Sequence, residues 1–471
     1  MEQIHWNDEA AKRKEALIKD AQELLRIKSV LDEENATAEA PLGEGVKKAL
    51  DHMLELGKKD GFTVKNVGNL AGHIEFGEGE EIVGILCHVD VVPEGDGWSS
   101  DPYGAEIRDG KIFARGAIDD KGPTMAAYYA MKMVKELGVP LKKRVRMILG
   151  TDEESNWRCV DHYFKHEEMP KMGFAPDADF PIIYAEKGIA DFDLVQNAEV
   201  SGETRHDAKV IEFSSGRRYN MVPDFATAAL EVVEGQTELV QKFEEYKKEF
   251  ALEGKCHVDR GVLVIELEGI SAHGMEPDNG KNAGLYMAAF LSGLNIDEKA
   301  KNYFKFVAEN LNGDSRGRTF GIAYSDEITG DLTINTGILS YSAENGGRLG
   351  LNMRYPVTTD LDKTMESLKE AIGKNRFKVE NFSNSNPHHV DEDDFLIRTL
   401  KKVYEEQTGE KAELLSIGGG TYARSLKSGV AFGPLFPGRP DIAHQKDEYI
   451  IIEDMLKATA IYGQAILELA R

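Results

Sequence analysis

The chain has little cysteine, no long apolar run and no excess of positive charge, and each shortage argues against a class of protein. Only three of its 471 residues are cysteines, and none form a Cys-x-x-Cys pair, which favours free thiols in a reducing compartment over a disulfide framework. No run approaches the ~18 apolar residues of a membrane span, and the first residues lack the basic and apolar regions of a secretory leader. The formal net charge of −25 argues against nucleic acid, because phosphates bind basic surfaces. The sequence therefore predicts a cytoplasmic protein with neither nucleic acid nor a membrane as partner.

Apolar strands alternate with helices near both ends of the chain, but not in its middle. Strands are predicted at 82–88 and 144–150, with a helix at 124–137 between them. This alternation is typical of an α/β fold with a mostly parallel sheet covered by helices on both faces. The middle has an α+β texture and is long enough for two βαββαβ, or ferredoxin-like, units. We predict a main domain in two parts, 1–188 and 383–471, and an inserted lid domain, 189–382.

The strand at 82–88 ends in Cys87-His88-Val89-Asp90. Alternate residues of a strand point the same way, so His88 and Asp90 emerge together where open α/β sheets place their ligands. An imidazole beside a carboxylate is either a metal ligand with its orienting partner or a satisfied surface pair. Because His-Val-Asp also occurs at His257 and His389, the tripeptide alone does not decide between these interpretations.

Four further sites could carry chemistry, although each has an ordinary interpretation as a helix cap, a surface pair, a turn aspartate or a loop histidine. They are Asp119-Asp120, Glu153-Glu154, Asp177 and His444. Each lies at the end of an apolar strand or in the loop after one, where buried carboxylates need a neutralising partner. Together with His88 they provide the ligand set of a two-metal hydrolase, with one shared carboxylate and one kept off the metals as a base. Zinc takes imidazole and carboxylate readily, and cobalt or manganese accept the same ligands.

These motifs also carry a family resemblance. His-x-Asp-Val-Val-Pro, Gly-Ala-x-Asp-Asp-Lys-Gly, Thr-Asp-Glu-Glu, Pro-Asp-Ala-Asp and a late histidine occur in this order. Over nearly its full length the chain resembles the dizinc metallopeptidase family of aminoacylases, succinyl-diaminopimelate desuccinylase, carnosinases and bacterial dipeptidases. The resemblance implies a zinc-peptidase fold, two Zn²⁺ ions and a cis peptide bond between Asp119 and Asp120. It implies these roles: His88 and Asp177 on one zinc, Glu154 and His444 on the other, Asp119 bridging, Asp90 orienting His88, and Glu153 as general base.

The resemblance also extends to the inserted domain and to a late glycine-rich turn. In Ser271-Ala272-His273-Gly274, His273 matches the family's oxyanion donor. Positions that hold the carboxyl end of a substrate are matched by Asn220, Arg354, Gly418, Gly419, Gly420 and Thr421. One departure is in the late motif His444-Gln445-Lys446-Asp447-Glu448, where relatives often have Asn in place of Asp447 before the glutamate, and it leaves the role of Glu448 open.

The leading functional hypothesis is a dipeptidase acting on short peptides with a free amino terminus. An N-acyl-amino-acid deacylase or desuccinylase is the alternative within the family, because the same chemistry cleaves any amide. A non-catalytic metal-binding scaffold is disfavoured, since neither a ligand nor the base is missing. Because the insert has room for a second lid unit, we expect a monomer in which His273 acts within its own chain.

Overall fold

A computed structural model of the chain describes residues 4–197 and 205–471. The helices of these residues are α1 (Trp6–Lys12), α2 (Lys14–Leu25), α3 (Glu44–Lys59), α4 (Lys121–Glu136), α5 (Arg158–His166), α6 (Gln236–Phe250), α7 (Ala283–Ser292), α8 (Glu298–Asn310), α9 (Leu361–Gly373), α10 (Phe395–Thr408) and α11 (Ile452–Ala470). In the part of the chain so described, no helix combines the length and apolar character needed to cross a membrane.

The strands are more numerous, and several are only two or three residues long. They are β1 (Thr63–Val67), β2 (Ala71–Phe76), β3 (Ile82–His88), β4 (Glu106–Arg108), β5 (Lys111–Phe113), β6 (Arg144–Gly150), β7 (Met172–Ala175), β8 (Ala178–Asp179), β9 (Ile182–Glu186), β10 (Gly188–Gln196), β11 (Ala208–Ser215), β12 (Phe225–Val232), β13 (Gly254–Asp259), β14 (Val262–Glu268), β15 (Ser325–Asp326), β16 (Gly330–Asp331), β17 (Thr333–Ser342), β18 (Gly346–Tyr355), β19 (Phe377–Ser385), β20 (His388–His389), β21 (Leu414–Ile417), β22 (Gly429–Ala431), β23 (Pro434–Leu435) and β24 (Tyr449–Ile451).

The chain divides into two compact units. The first consists of Met1–Ala185, His389–Leu415 and Thr421–Arg471, and the second of Glu186–His388 and Ser416–Gly420. Each unit has its own hydrophobic core. The predicted mixed α/β class is confirmed.

The sheet of the first unit is parallel at its centre. Its strand order begins β1-β2-β6-β3-β7-β22-β9, and β3 pairs in parallel with both β6 and β7, as β7 does with β22. The outer pairs β1-β2, β2-β6 and β22-β9 are antiparallel. All seven residues of β3 are buried, as the continuous apolar sequence of a central parallel strand predicts. Helices α4 and α11 supply much of the apolar surface in the same core.

The second unit contains one eight-stranded antiparallel sheet. Its order is β13-β14-β12-β11-β17-β18-β10-β19. Side chains of α6, α7, α8 and α9 share a core with alternate residues of these strands. Along β18, for example, Leu349, Leu351, Met353 and Tyr355 belong to this core, so the residues between them point to the other face.

Candidate metal centre

Three adjacent strands of the first unit end at the same edge of the sheet and carry the candidate residues there. His88 is the last residue of β3 and pairs with Gly150, the last residue of β6. Glu153 and Glu154 follow β6, and Asp177 follows β7. Because β6, β3 and β7 run parallel, their carboxyl ends meet where α/β sheets usually bind ligands.

Two groups of side chains at this edge share one carboxylate. In the first, His88 Nε2 lies 3.0 Å from Asp119 Oδ1 and 3.5 Å from Asp177 Oδ1. In the second, His444 Nε2 lies 2.9 Å from Asp119 Oδ2 and 3.1 Å from Glu154 Oε2. In each group the candidate ligand atoms all lie within 4.8 Å of one another. Asp119 thus directs one oxygen to each histidine and is shared by the two groups.

Glu153 lies beside the first group, and its Oε2 is 4.0 Å from His88 Nε2. With His88 and Glu154 it forms a third cluster within the same 4.8 Å limit, so geometry alone allows it to act as either a ligand or a base. Burial raises the pKa of Glu153 well above its usual range, and the nearby carboxylates of Asp177 and Glu154 add to the effect.

The same crowding affects the other carboxyl groups. Burial and the neighbouring charge of Asp119 raise the pKa of Glu154 to about 7, and burial raises that of Asp177 to about 6. Burial also acts to raise the pKa of Asp119, but hydrogen bonds with His444 and His88 outweigh it and hold this pKa below its usual range. Buried carboxylates in such numbers are costly unless cations neutralise them. The donor set of imidazoles and carboxylates is one that zinc prefers, so these residues fit a metal centre.

Asp90 contacts two of the groups that build the centre. The Nδ1 atom of His88 lies 3.1 Å from the backbone oxygen of Asp90 and 3.3 Å from its Oδ1. The other carboxylate oxygen of Asp90, Oδ2, accepts a hydrogen bond of 3.0 Å from the backbone N–H of Glu154. With Nδ1 held in this way, Nε2 of His88 faces Asp119 and Asp177 and is the ring nitrogen that could bind a metal ion.

Asp120 does not act as the helix cap that its position before α4 favours. Its side chain caps no backbone N–H of α4; its Oδ2 instead accepts hydrogen bonds from His88 N at 3.1 Å and from Thr124 Oγ1 at 3.0 Å. The Asp119–Asp120 peptide bond is cis, as predicted. Helix α4 begins at Lys121, three residues earlier than predicted, because Pro123 is tolerated in a first turn whose N–H groups lack helical partners in any case.

The sequence did not identify a buried ion pair behind the centre. Arg115 and Glu448 are 2.6 Å apart and almost fully buried. Glu448 Oε1 accepts hydrogen bonds from the backbone N–H groups of Ile118 and Asp119 at 2.9 and 3.2 Å, and Arg115 donates to the backbone oxygen of His444 at 3.2 Å. The pair therefore joins the loop that carries Asp119 to the loop that carries His444. Glu448 contacts the first of these loops through its backbone N–H groups.

The residues predicted to hold a substrate are divided between the units: Thr421 belongs to the first, and the others belong to the second. In the second unit, Asn220 O accepts a 2.7 Å hydrogen bond from Gly274 N, next to His273. Arg354, which is 4% exposed, donates from Nη1 to Gly418 O at 3.1 Å. Burial and the charge of Arg354 lower the pKa of His273. Asn220, His273, Arg354 and the turn at Gly418 thus lie close together.

A hydrogen bond assigns the tautomer of His273. The backbone N–H of Met275 donates to His273 Nδ1 at 3.1 Å, so Nδ1 is the acceptor nitrogen. In a neutral imidazole the proton then lies on Nε2. His273 is therefore a neutral side chain with an N–H donor at its outer nitrogen.

Comparisons with known proteins show which proteins and structures this chain resembles. The chain is 54% identical to a Bacillus subtilis (strain 168) protein provisionally named dipeptidase YtjP, over 99% of this chain and 100% of that protein. It is 46% identical to a protein of Staphylococcus epidermidis, also provisionally named a dipeptidase, over 98% and 99% of the two chains. The structure of aminoacylhistidine dipeptidase from Vibrio alginolyticus is similar in fold, with a TM-score of 0.59 and 12% identity over 97% of each chain. The model of peptidase family M20/M25/M40 matches residues 84–468, and the chain therefore belongs to this family.

Proposed function

We propose that this chain is a metal-dependent dipeptidase that hydrolyses the peptide bond of dipeptides with a free amino terminus. The observation that carries the proposal is the position of Asp119, whose two oxygens lie 3.0 Å from His88 and 2.9 Å from His444. A shared carboxylate between two imidazole-carboxylate groups suits a pair of metal ions that act on one water. The names of the relatives in Bacillus subtilis and Staphylococcus epidermidis support the choice of dipeptides.

The proposed metal content is two Zn²⁺ ions per chain, with Co²⁺ or Mn²⁺ as substitutes for the same donors. His88 and Asp177 would hold one ion, Glu154 and His444 the other, and Asp119 would serve both. Bound metal ions lower the pKa of a water molecule towards neutrality and polarise a carbonyl group.

The side chains would perform the proton transfers and the orientation. Glu153 accepts the proton of the attacking water and returns it to the departing amine, a role that suits a carboxylate whose pKa is raised by burial. His273 donates from Nε2–H to the developing oxyanion; one such donor is typically worth ~2.7–4 kcal/mol. Arg354 binds the terminal carboxylate of the dipeptide through its planar guanidinium group, near Asn220 and Gly418.

Two finer assignments belong to the proposal. Longer stretches of the sequence, Gly97–Tyr103, Leu149–Trp157 and Gly418–Arg424 among them, resemble the bacterial dipeptidase PepV. We also propose a cytoplasmic monomer in which His273 acts on substrate bound to its own chain. Its three free cysteines suit a reducing compartment, and the second unit forms its eight-stranded sheet within one chain.

A substrate panel tests the proposed activity. We expect hydrolysis of unblocked dipeptides that a chelator abolishes and added Zn²⁺ restores, with N-acetyl amino acids cut at least ~10-fold more slowly in kcat/KM, because a site built for a charged amine rejects the analogue that lacks it. Tripeptides provide the length comparison. Preferential cleavage of N-acetyl or N-succinyl amino acids would instead support the deacylase or desuccinylase alternative, and the absence of any chelator-sensitive hydrolysis would support the scaffold.

Asp90 provides a test of the support behind His88. Asp90→Asn is expected to lower kcat/KM by ~10–100-fold while the metal content stays near that of the unaltered protein. The amide has the same shape as the carboxylate but only one accepting oxygen, so the contact with either His88 or Glu154 is lost while every proposed ligand remains. Steady-state kinetics and atomic emission on the same preparation measure both quantities. The matched control is Asp96→Asn, an exposed position of the following loop. Loss of metal in proportion to activity would show that Asp90 is itself part of the ligand set.

A further inference from the structure

A chain of buried polar groups in the second unit connects Arg354 to a carboxylate on the neighbouring strand. Asn352 and Arg354 are two residues apart on β18, so they point to the same face of the sheet, away from the hydrophobic core. Both are nonetheless buried, with exposures of 1% and 4%. Asp191 lies directly across from Asn352 on β10. Buried polar side chains on a face that the core does not use require a specific set of partners.

The hydrogen bonds within this series of side chains all point in one direction, from Arg354 to Asp191. Arg354 Nε donates to Asn352 Oδ1 at 2.7 Å, and Asn352 Nδ2 donates to Asp191 Oδ1 at 2.6 Å. A second nitrogen of the same guanidinium group, Nη1, donates to Gly418 O at 3.1 Å. The Nε bond and the Nη1 bond together fix the plane in which the guanidinium group lies.

The carboxylate of Asp191 determines which way the amide of Asn352 faces. An ionised carboxylate only accepts hydrogen bonds, whereas an amide has one accepting end and one donating end. Asp191 therefore draws the NH₂ group of Asn352 towards itself and leaves the amide oxygen facing Arg354. A reversed amide would place two donors, its own N–H and Arg354 Nε–H, against each other.

We propose that Asp191 and Asn352 are positioning residues that hold the guanidinium plane of Arg354 ready for the carboxylate of a dipeptide substrate. This inference rests on the proposed function and extends it from the residue that binds the carboxylate to those that orient it. Bidentate recognition depends on the angle of the guanidinium plane, so a loosened Arg354 binds the carboxylate less well. The link is a neutral amide, which orients the arginine without placing a competing carboxylate against its Nε.

Kinetics on two substrates test the proposal. Asn352→Leu keeps the size of the side chain but removes both hydrogen bonds, and we expect KM for a dipeptide to rise ~10-fold with kcat changed less than ~3-fold, as for a lost preorganised contact. For the same dipeptide with an amidated carboxyl terminus, both parameters should be unchanged. Asp191→Leu should reproduce the KM effect, whereas Asp191→Asn, which still offers an acceptor to Asn352, should remain near the unaltered protein.

A matched control is available two residues along β10. Asp193 lies two residues from Asp191 on β10, and Asn381 Nδ2 donates to Asp193 Oδ2, also at 2.6 Å. Asn381→Gly removes this amide–carboxylate bond, and glycine tolerates the positive φ of 51° at this position. We expect no change in KM for either substrate. In an Arg354→Gln background, Asn352→Leu should add less than ~2-fold, because two residues that act through one contact are not additive.

Other outcomes would overturn the positioning role or the proposed function separately. An unchanged KM for Asn352→Leu, equal losses on the acid and the amide, or a full additional loss in the Arg354→Gln background would each overturn the positioning role. If the unaltered protein cuts N-acetyl amino acids but no dipeptides, the proposed function is wrong, and the same KM comparison on an N-acetyl amino acid and its amide still decides the role of Asn352. If it cuts none of these, both fail.

Discussion

Replacement of Glu153 by alanine is expected to lower kcat by at least ~10³-fold, within the range for loss of a general base, while the metal content is retained. The two ligand groups around Asp119 do not include Glu153, and their atoms lie within 4.8 Å of one another without it. The expected result therefore separates the two roles that geometry allows for Glu153. Measurements of kcat and of metal per chain on one preparation provide the test.

Two further variants make this prediction specific. Glu153→Gln preserves size and polarity but cannot take up a proton, so it should be as inactive as the alanine variant. Glu34→Ala changes an exposed residue of another Glu-Glu pair and should keep full activity. Loss of metal from Glu153→Ala would assign Glu153 to the ligands, and a rate within ~3-fold of normal would remove it from the chemistry altogether.

The end of β3 could be predicted because its sequence is continuous and local. A run of apolar residues at 82–88 is typical of a buried parallel strand, and all seven are buried in the structure. The same tripeptide has no such context elsewhere, and His257 and His389 are both exposed. Burial distinguishes His88 from its two copies, and burial follows from the residues before the histidine rather than from the histidine itself.

The contacts that support the centre could not be predicted in the same way. Arg115 and Glu448 lie 333 residues apart in the sequence, so no local pattern links them. Asp120 has the position of a helix cap, but its carboxylate instead binds His88 N and Thr124; a tertiary contact outweighs the local preference. Only the folded chain shows that Glu448 acts on Asp119 through the backbone.

The orientation of Asp119 likewise depends on tertiary structure. The sequence indicates that one carboxylate of the set must be shared, but the residues themselves leave open which one. The structure directs Oδ1 towards His88 on β3 and Oδ2 towards His444 in a loop of the last quarter of the chain. Glu448 accepts a hydrogen bond from the backbone N–H of Asp119. One residue therefore connects both ligand groups.

Asp119→Ala is accordingly expected to remove metal from both groups. Replacement of any other single ligand is expected to affect one group only. Each group then keeps one histidine and one carboxylate, Asp177 or Glu154, fewer protein donors than the three that catalytic zinc sites usually have. We expect metal per chain to fall below half its normal value and kcat/KM to fall at least ~10⁴-fold, a loss on the order of 5 kcal/mol in transition-state stabilisation.

His444→Ala makes the comparison informative, because it removes a ligand from the second group and leaves His88, Asp119 and Asp177 in place. It should retain about half the metal, whereas Asp119→Ala should retain less.

Thermal unfolding adds an independent measurement. A metal that binds only the folded chain raises its stability, so chelator should lower the melting temperature of the unaltered protein but barely change that of Asp119→Ala. The exposed Asp161→Ala serves as the control and should behave as the unaltered protein. If Asp119→Ala keeps as much metal as His444→Ala, Asp119 serves one group alone, and the shared-carboxylate centre is wrong.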